Sequence, residues 1–119
     1  MITEDYVSFE TAKLLKEKGF ELPSLVPEEW VCSMYDEKGE VKWGCYSDNW
    51  YCRITLQMAM KWLREVHNIA IETEWEHLWY AYIKPMTSNP SEKDYYQCES
   101  SKYEEACEEA IKYYLENII

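Results

Sequence analysis

Apolar and polar residues alternate along this chain with two different periods, and the clearest helical one runs over residues 55–68, TLQMAMKWLREVHN. Leu56, Ala59, Met60, Leu63 and Val66 follow the i, i+3, i+4, i+7 spacing, while Gln57, Lys61, Arg64 and Glu65 take the opposite side. Met58 and Trp62 widen the apolar face. Thr55 is placed to cap the start, and Asn68 tolerates the left-handed conformation at the end. The pattern predicts a core helix that packs against a sheet or against other helices. The same period predicts two more helices. In SFETAKLLKEKG, Ser8 caps, Phe9, Ala12 and Leu15 share a face that Leu14 extends, and Gly19 terminates. Near the end of the chain, Tyr103, Ala106, Cys107, Ala110, Ile111, Tyr114, Leu115 and Ile118 form a stripe. Ser101-Lys102-Tyr103-Glu104 before it has the form of a capping box, and Glu104 and Glu105 suit the positive end of the helix dipole.

Between the helices the period shortens to two. Residues 30–35 (WVCSMY) and 40–45 (EVKWGC) flank Asp36-Glu37-Lys38-Gly39, which predicts a β-hairpin with Gly39 left-handed. Further on, Ile69, Ile71, Thr73 and Trp75 alternate with Ala70, Glu72, Glu74 and Glu76, a strand with one wet face. Residues 78–84 (LWYAYIK) complete a second hairpin through a Glu76-His77 turn, and residues 94–99 can return as a last short strand. Residues 20–27, with two prolines, read as an extended connector, residues 46–53 as a loop into the central helix, and residues 85–93 as a loop. The order is α-β-β-α-β-β-(β)-α. It predicts a single α+β domain over residues 1–119, with an antiparallel sheet of two hairpins and helices packed mainly on one face. Residues 12–17 (AKLLKE) echo residues 60–65 (MKWLRE) ahead of each strand pair, as a duplicated α-β-β unit requires, although the hairpin spacings do not match.

Composition narrows the classes. The chain has 119 residues, 47% of them hydrophobic, with six Trp and eleven Tyr against three Gly and four Pro. That is enough apolar material for one core without a metal or disulfide. The net charge is −11, heaviest over residues 92–119, which disfavours nucleic acid and anionic membranes and suits a basic partner or plain solubility. Five cysteines form no CxxC pair, acidic Glu4 and Asp5 stand where a signal peptide has basic residues, and no stretch approaches a bilayer span. These features predict a reduced, cytoplasmic protein.

Candidate chemistry concentrates in residues 43–53, WGCYSDNWYCR, where Trp43, Tyr46, Asp48, Trp50 and Tyr51 combine stiff aromatic area with hydrogen-bonding groups. Such a loop either binds a partner or folds back as a lid on the core. Cys45 and Cys52 lack zinc-ligand spacing, so metal is not expected and no cofactor is implied. Cys52 precedes the central helix, whose dipole can lower a thiol pKa, but His67 stands at the far end, about 18 Å away at 1.5 Å per residue. Only His77 remains as a base, without a cysteine-enzyme signature around it. The glutamates of residues 72–76 and 104–109 read as solvated faces, and GxGxxG, Walker, GxSxG and HExxH motifs are missing.

Residues 55–69, residues 103–119 and the opening EDYVSFETAKLLKEKGF resemble a family of small proteins of unknown function from gut anaerobic bacteria, their prophages and mobile elements. The resemblance weakens over residues 21–53 and 73–100, and it implies a setting without supplying a catalytic residue. The reading that best joins these features is a cytoplasmic accessory protein, more binder than enzyme, that contacts a protein partner through an acidic, aromatic surface. Its candidate contacts are Trp43, Tyr46, Asp48, Trp50, Tyr51 and His77. The competing reading is a small-molecule or saccharide binder, or an enzyme, built on the same loop with Asp48, Cys52 and His77. Mimicry of nucleic acid would need carboxylates spaced like phosphates, which a linear sequence does not show.

Overall fold

The structure is a computed structural model that describes residues 5–20, 31–45, 49–89 and 95–118. Its contacts divide the chain into two compact units, Met1–Thr55 and Leu56–Ile119. The predicted connector over residues 20–27 lies outside the described residues except for Phe20, which is buried.

In the first unit, helix α1 (Phe9–Glu17) begins where the Ser8 hydroxyl accepts the Thr11 amide at 3.3 Å, and the chain leaves it through Gly19 at φ 101°. It buries Thr11, Ala12 and Leu15. Strands β1 (Val31–Tyr35) and β2 (Val41–Cys45) form the expected hairpin, in register Tyr35↔Val41 and Ser33↔Trp43. Asp36 closes the turn: its Oδ1 accepts the amides of Glu40 and Lys38, each at 2.9 Å. Those amides, Glu40 foremost, hold the Asp36 carboxyl below its ordinary range. Gly39 sits at φ 86°, and a Cβ there would stand 2.8 Å from the Phe9 ring, so this glycine is required by backbone and space alike.

The aromatic stretch expected to be a loop ends instead in a strand, β3 (Tyr51–Cys52), which pairs with the free side of β1 to give the order β2-β1-β3. Extended backbone continues beyond it. The Arg53 amide donates to the Ser33 carbonyl at 3.1 Å, the Val7 amide donates to the Ile54 carbonyl at 2.9 Å, and Tyr6 bridges Thr55. Val7, Leu15, Phe20, Met34 and Ile54 form this unit's core.

The second unit opens with helix α2 (Leu56–His67), within one residue of the predicted bounds, and Asn68 follows at φ 55°. Strands β4 (Ile69–Glu76), β5 (Leu78–Pro85) and β6 (Tyr96–Ser100) make an antiparallel sheet in the order β4-β5-β6, and helix α3 (Tyr103–Asn117) closes the unit. The β4–β5 register runs to Glu76↔Leu78, so His77 alone makes the turn, at φ 69°. Helix α2 packs on β4, α3 packs on β5 and β6, and the helices touch each other. Gln57 donates to the Tyr103 hydroxyl at 3.0 Å, and the Tyr96 and Tyr113 rings stack at 3.6 Å. The predicted α3 stripe is buried from Ala106 to Leu115.

Two expectations need correction. Val66, placed on the α2 core stripe, is 57% exposed, because the buried face ends at Leu63. The Ser101–Glu104 capping box does not form: α3 starts from Lys102 with no side-chain cap. Ser100, just before the helix, accepts the Lys102 amide at 3.2 Å and donates to Glu105 at 2.7 Å. The two α-β-β units differ in where the third strand joins: β3 pairs with the first strand of its hairpin, and β6 with the second strand of its own. The α+β class and element order are as expected, while the strands form two three-stranded sheets because β3 and β6 each extend their own hairpin.

His67 ends α2 with its ring set edge-on to Trp62 at 4.7 Å and to Tyr114 at 6.0 Å. Its Nε2 is buried without a hydrogen-bond partner among the described residues, and burial lowers its pKa below the ordinary 6.5. The unfolded chain therefore takes up the proton at higher pH than the folded one. Stability from a neutral His67 is complete above pH 6.5 and is lost as pH falls towards the folded-state pKa. Melting temperature followed from pH 7.5 to 5.5 is expected to fall less steeply in His67→Phe than in the parent. Two further substitutions check the packing by urea denaturation. Leu63→Ala, at a fully buried site, is expected to cost about 2–5 kcal/mol, and Gly39→Ala about 1–3 kcal/mol.

Candidate functional site

The candidate residues of the aromatic stretch divide by strand geometry. Trp43 stands on β2, the terminal strand of its sheet, and is 68% exposed, with Val41 two residues away on the same face and 46% exposed. Trp50 and Tyr51 behave oppositely. The Tyr51 ring meets the Phe9 ring edge-on at 5.6 Å, and Lys16 places its ammonium 5.1 Å over Tyr51 while donating to the Trp50 carbonyl at 3.1 Å. This part of the stretch is folded back on α1 and half-buried. Tyr46 and Asp48 lie outside the described residues.

Arg53, which sequence reasoning did not single out, pins the end of the stretch. Its guanidinium lies 3.9 Å over the Tyr6 ring and 6.0 Å from the Tyr35 ring, and donates to the Ser33 hydroxyl at 3.2 Å. The Tyr35 hydroxyl in turn donates to the Val7 carbonyl. The signal was an arginine inside an aromatic run, but only the β1–β3 pairing brings Tyr6 and Tyr35 to it.

Trp50 and Cys52 line a depression with Ala12, Leu15, Lys16 and Phe20. It has room for about one water molecule, far too little for a sugar ring. His77 belongs to the second unit, where it is exposed at the β4–β5 turn with its ring 6.2 Å from Trp75, itself 61% exposed. Exposure grows along that face of β4, from buried Ile69 through half-buried Ile71 and Thr73 to Trp75. The hairpin tip thus presents an indole and an imidazole together.

Among the described residues no group of three His, Cys, Asp or Glu side chains is placed to hold a metal ion, and no helix is long and apolar enough to cross a membrane. Cys52, Cys98 and Cys107 take part in no disulfide. The Cys98 sulfur lies 3.3 Å from the Ala106 carbonyl and 3.8 Å from that of Ala81, and burial, with Glu109 and Cys107 nearby, pushes its thiol pKa up to about 11. A thiol so placed is a poor nucleophile and a packing group.

Comparison with protein-family models, with curated proteins and with solved structures finds no match in any of the three. The geometry of the chain itself is what bears on function.

Alkylation of the native chain, mapped by peptide mass spectrometry, is expected to modify half-buried Cys52 before Cys98 and Cys107, which stay untouched until denaturant is added. Prompt labelling of Cys98 would contradict its burial.

Proposed function

We propose that this chain is an accessory protein that acts by binding a protein partner, and that the exposed face of β2 is its contact. One observation carries the reading: Trp43, largely exposed, stands beside partly exposed Val41 on a terminal strand. A terminal strand offers backbone groups for pairing, and an exposed tryptophan is the kind of residue that dominates binding energy once a partner buries it. A saccharide site would use Trp50 with a cavity beside it, and that cavity takes only about one water.

The test is affinity purification of the tagged chain from host lysate, followed by binding measurements on whatever copurifies. The double variant Val41→Thr/Trp43→Ala changes two partly exposed residues outside the buried core, so its folding stability is expected to stay within about 1 kcal/mol of the parent. Its affinity for the partner is expected to fall roughly thirtyfold, the 2 kcal/mol or so of an interface hot spot. Tyr51→Ala, by contrast, is expected to lower stability through its lost packing on Phe9. A partner held equally well by the double variant would refute the assignment.

A further inference from the structure

We propose that the outer face of the β4-β5-β6 sheet is a docking surface for a lysine-rich extended protein segment. The proposal deepens the binding function above and rests on it, adding a partner chemistry and a second surface.

The face follows from register. Ile71, Thr73, Ala81, Ile83 and Cys98 point to the helices, so their neighbours Glu72, Glu74, Glu76, Tyr80, Tyr82, Lys84, Gln97 and Glu99 share the other side. Cross-strand pairing sets them in rows: Glu72↔Tyr82↔Gln97, then Glu74↔Tyr80↔Glu99. Each row puts a carboxylate next to a tyrosine ring. The two rings lie nearly parallel, 18° apart in plane with centroids 6.4 Å apart, and the Tyr82 hydroxyl donates to Glu74 at 3.4 Å. The four glutamates and Gln97 are exposed and the rings half-buried, which leaves the carboxylates standing around an aromatic floor.

The face already holds one lysine in this manner. Lys84 brings its ammonium to 2.7 Å from the Glu72 carboxylate and 5.8 Å from the Tyr82 ring centre. The next row repeats carboxylate and ring and adds a second carboxylate, Glu99, on the far side of Tyr80, while Lys84 is the sole cationic residue on the described strands of this face. Charge complementarity therefore specifies a cationic occupant, and a tyrosine floor favours an ammonium laid across rings over a hydrated metal ion. Alternate residues of an extended segment are roughly 6.6 Å apart, the same interval as successive rows along the sheet. A segment with lysine at every second position matches the rows. Single exposed contacts of this kind are weak, so the segment must carry several lysines and its binding must weaken with salt.

The test uses the full chain and a fluorescein-labelled peptide alternating lysine and serine, read by fluorescence anisotropy. Saturable binding is expected, with affinity reduced roughly tenfold by Glu74→Gln/Glu99→Gln and severalfold by Tyr80→Leu. The control pair Glu37→Gln/Glu65→Gln removes the same charge from other exposed sites and is expected to leave affinity unchanged. Circular dichroism confirms that each variant is folded. Absence of saturable binding, or equal losses in the control pair, would overturn the proposal. Loss confined to Val41→Thr/Trp43→Ala would overturn it too while sparing the β2 surface, and binding kept by that variant but lost in Glu74→Gln/Glu99→Gln supports a separate face.

Discussion

Ala81 and Ile83 lie at the middle of β5 with no exposed surface, and their burial dictates the rest of the second unit. Side chains alternate along a strand, so fixing these two inward commits Tyr80, Tyr82 and Lys84 outward, and pairing passes the same commitment to β4 and β6. Small residues do the corresponding work on α3, where Ala106 and Ala110 are fully buried and Cys98 fits its sulfur between the carbonyls of Ala81 and Ala106. The polar face exists because the apolar face is so strictly filled.

Helices and hairpins were legible because their signals are local. The period of 3.6 over residues 55–68 and the polar turn at Asp36–Gly39 depend on nothing further along the chain. What the sequence could not show was pairing between distant strands. Tyr51 and Cys52 carry too few residues for a visible period, and only their register with Met34 and Tyr35 makes them a strand. Ser101 has the right spacing for a cap, but β6 runs on through Ser100 and the helix starts one residue later, from Lys102. Of the candidate site, Trp43 was recognisable as an aromatic residue, yet its exposure follows from standing on a terminal strand. Trp50 and Tyr51 look identical to it in composition and are tied to α1 through Phe9 and Lys16.

The two units offer surfaces of different chemistry. One is apolar, small and centred on an indole; the other is broad, anionic and floored by phenols. An apolar patch gives affinity through water release, whereas an anionic face governs encounter rate and choice of partner. Both are carried by sheet faces, where strand pairing fixes which way the side chains point.

Asn68 and His77 stand at the two ends of β4, both with positive φ and neither a glycine. A one-position shift that put Ile69 and Leu78 at these two places would force both into a left-handed conformation that β-branched and bulky residues strongly resist. It would also carry the glutamates into the space now filled by Ile71. The hairpin is thus locked at both ends as well as along its length. Two mildly strained residues act as stops at the ends of a strand whose alternation already separates a charged face from an apolar one.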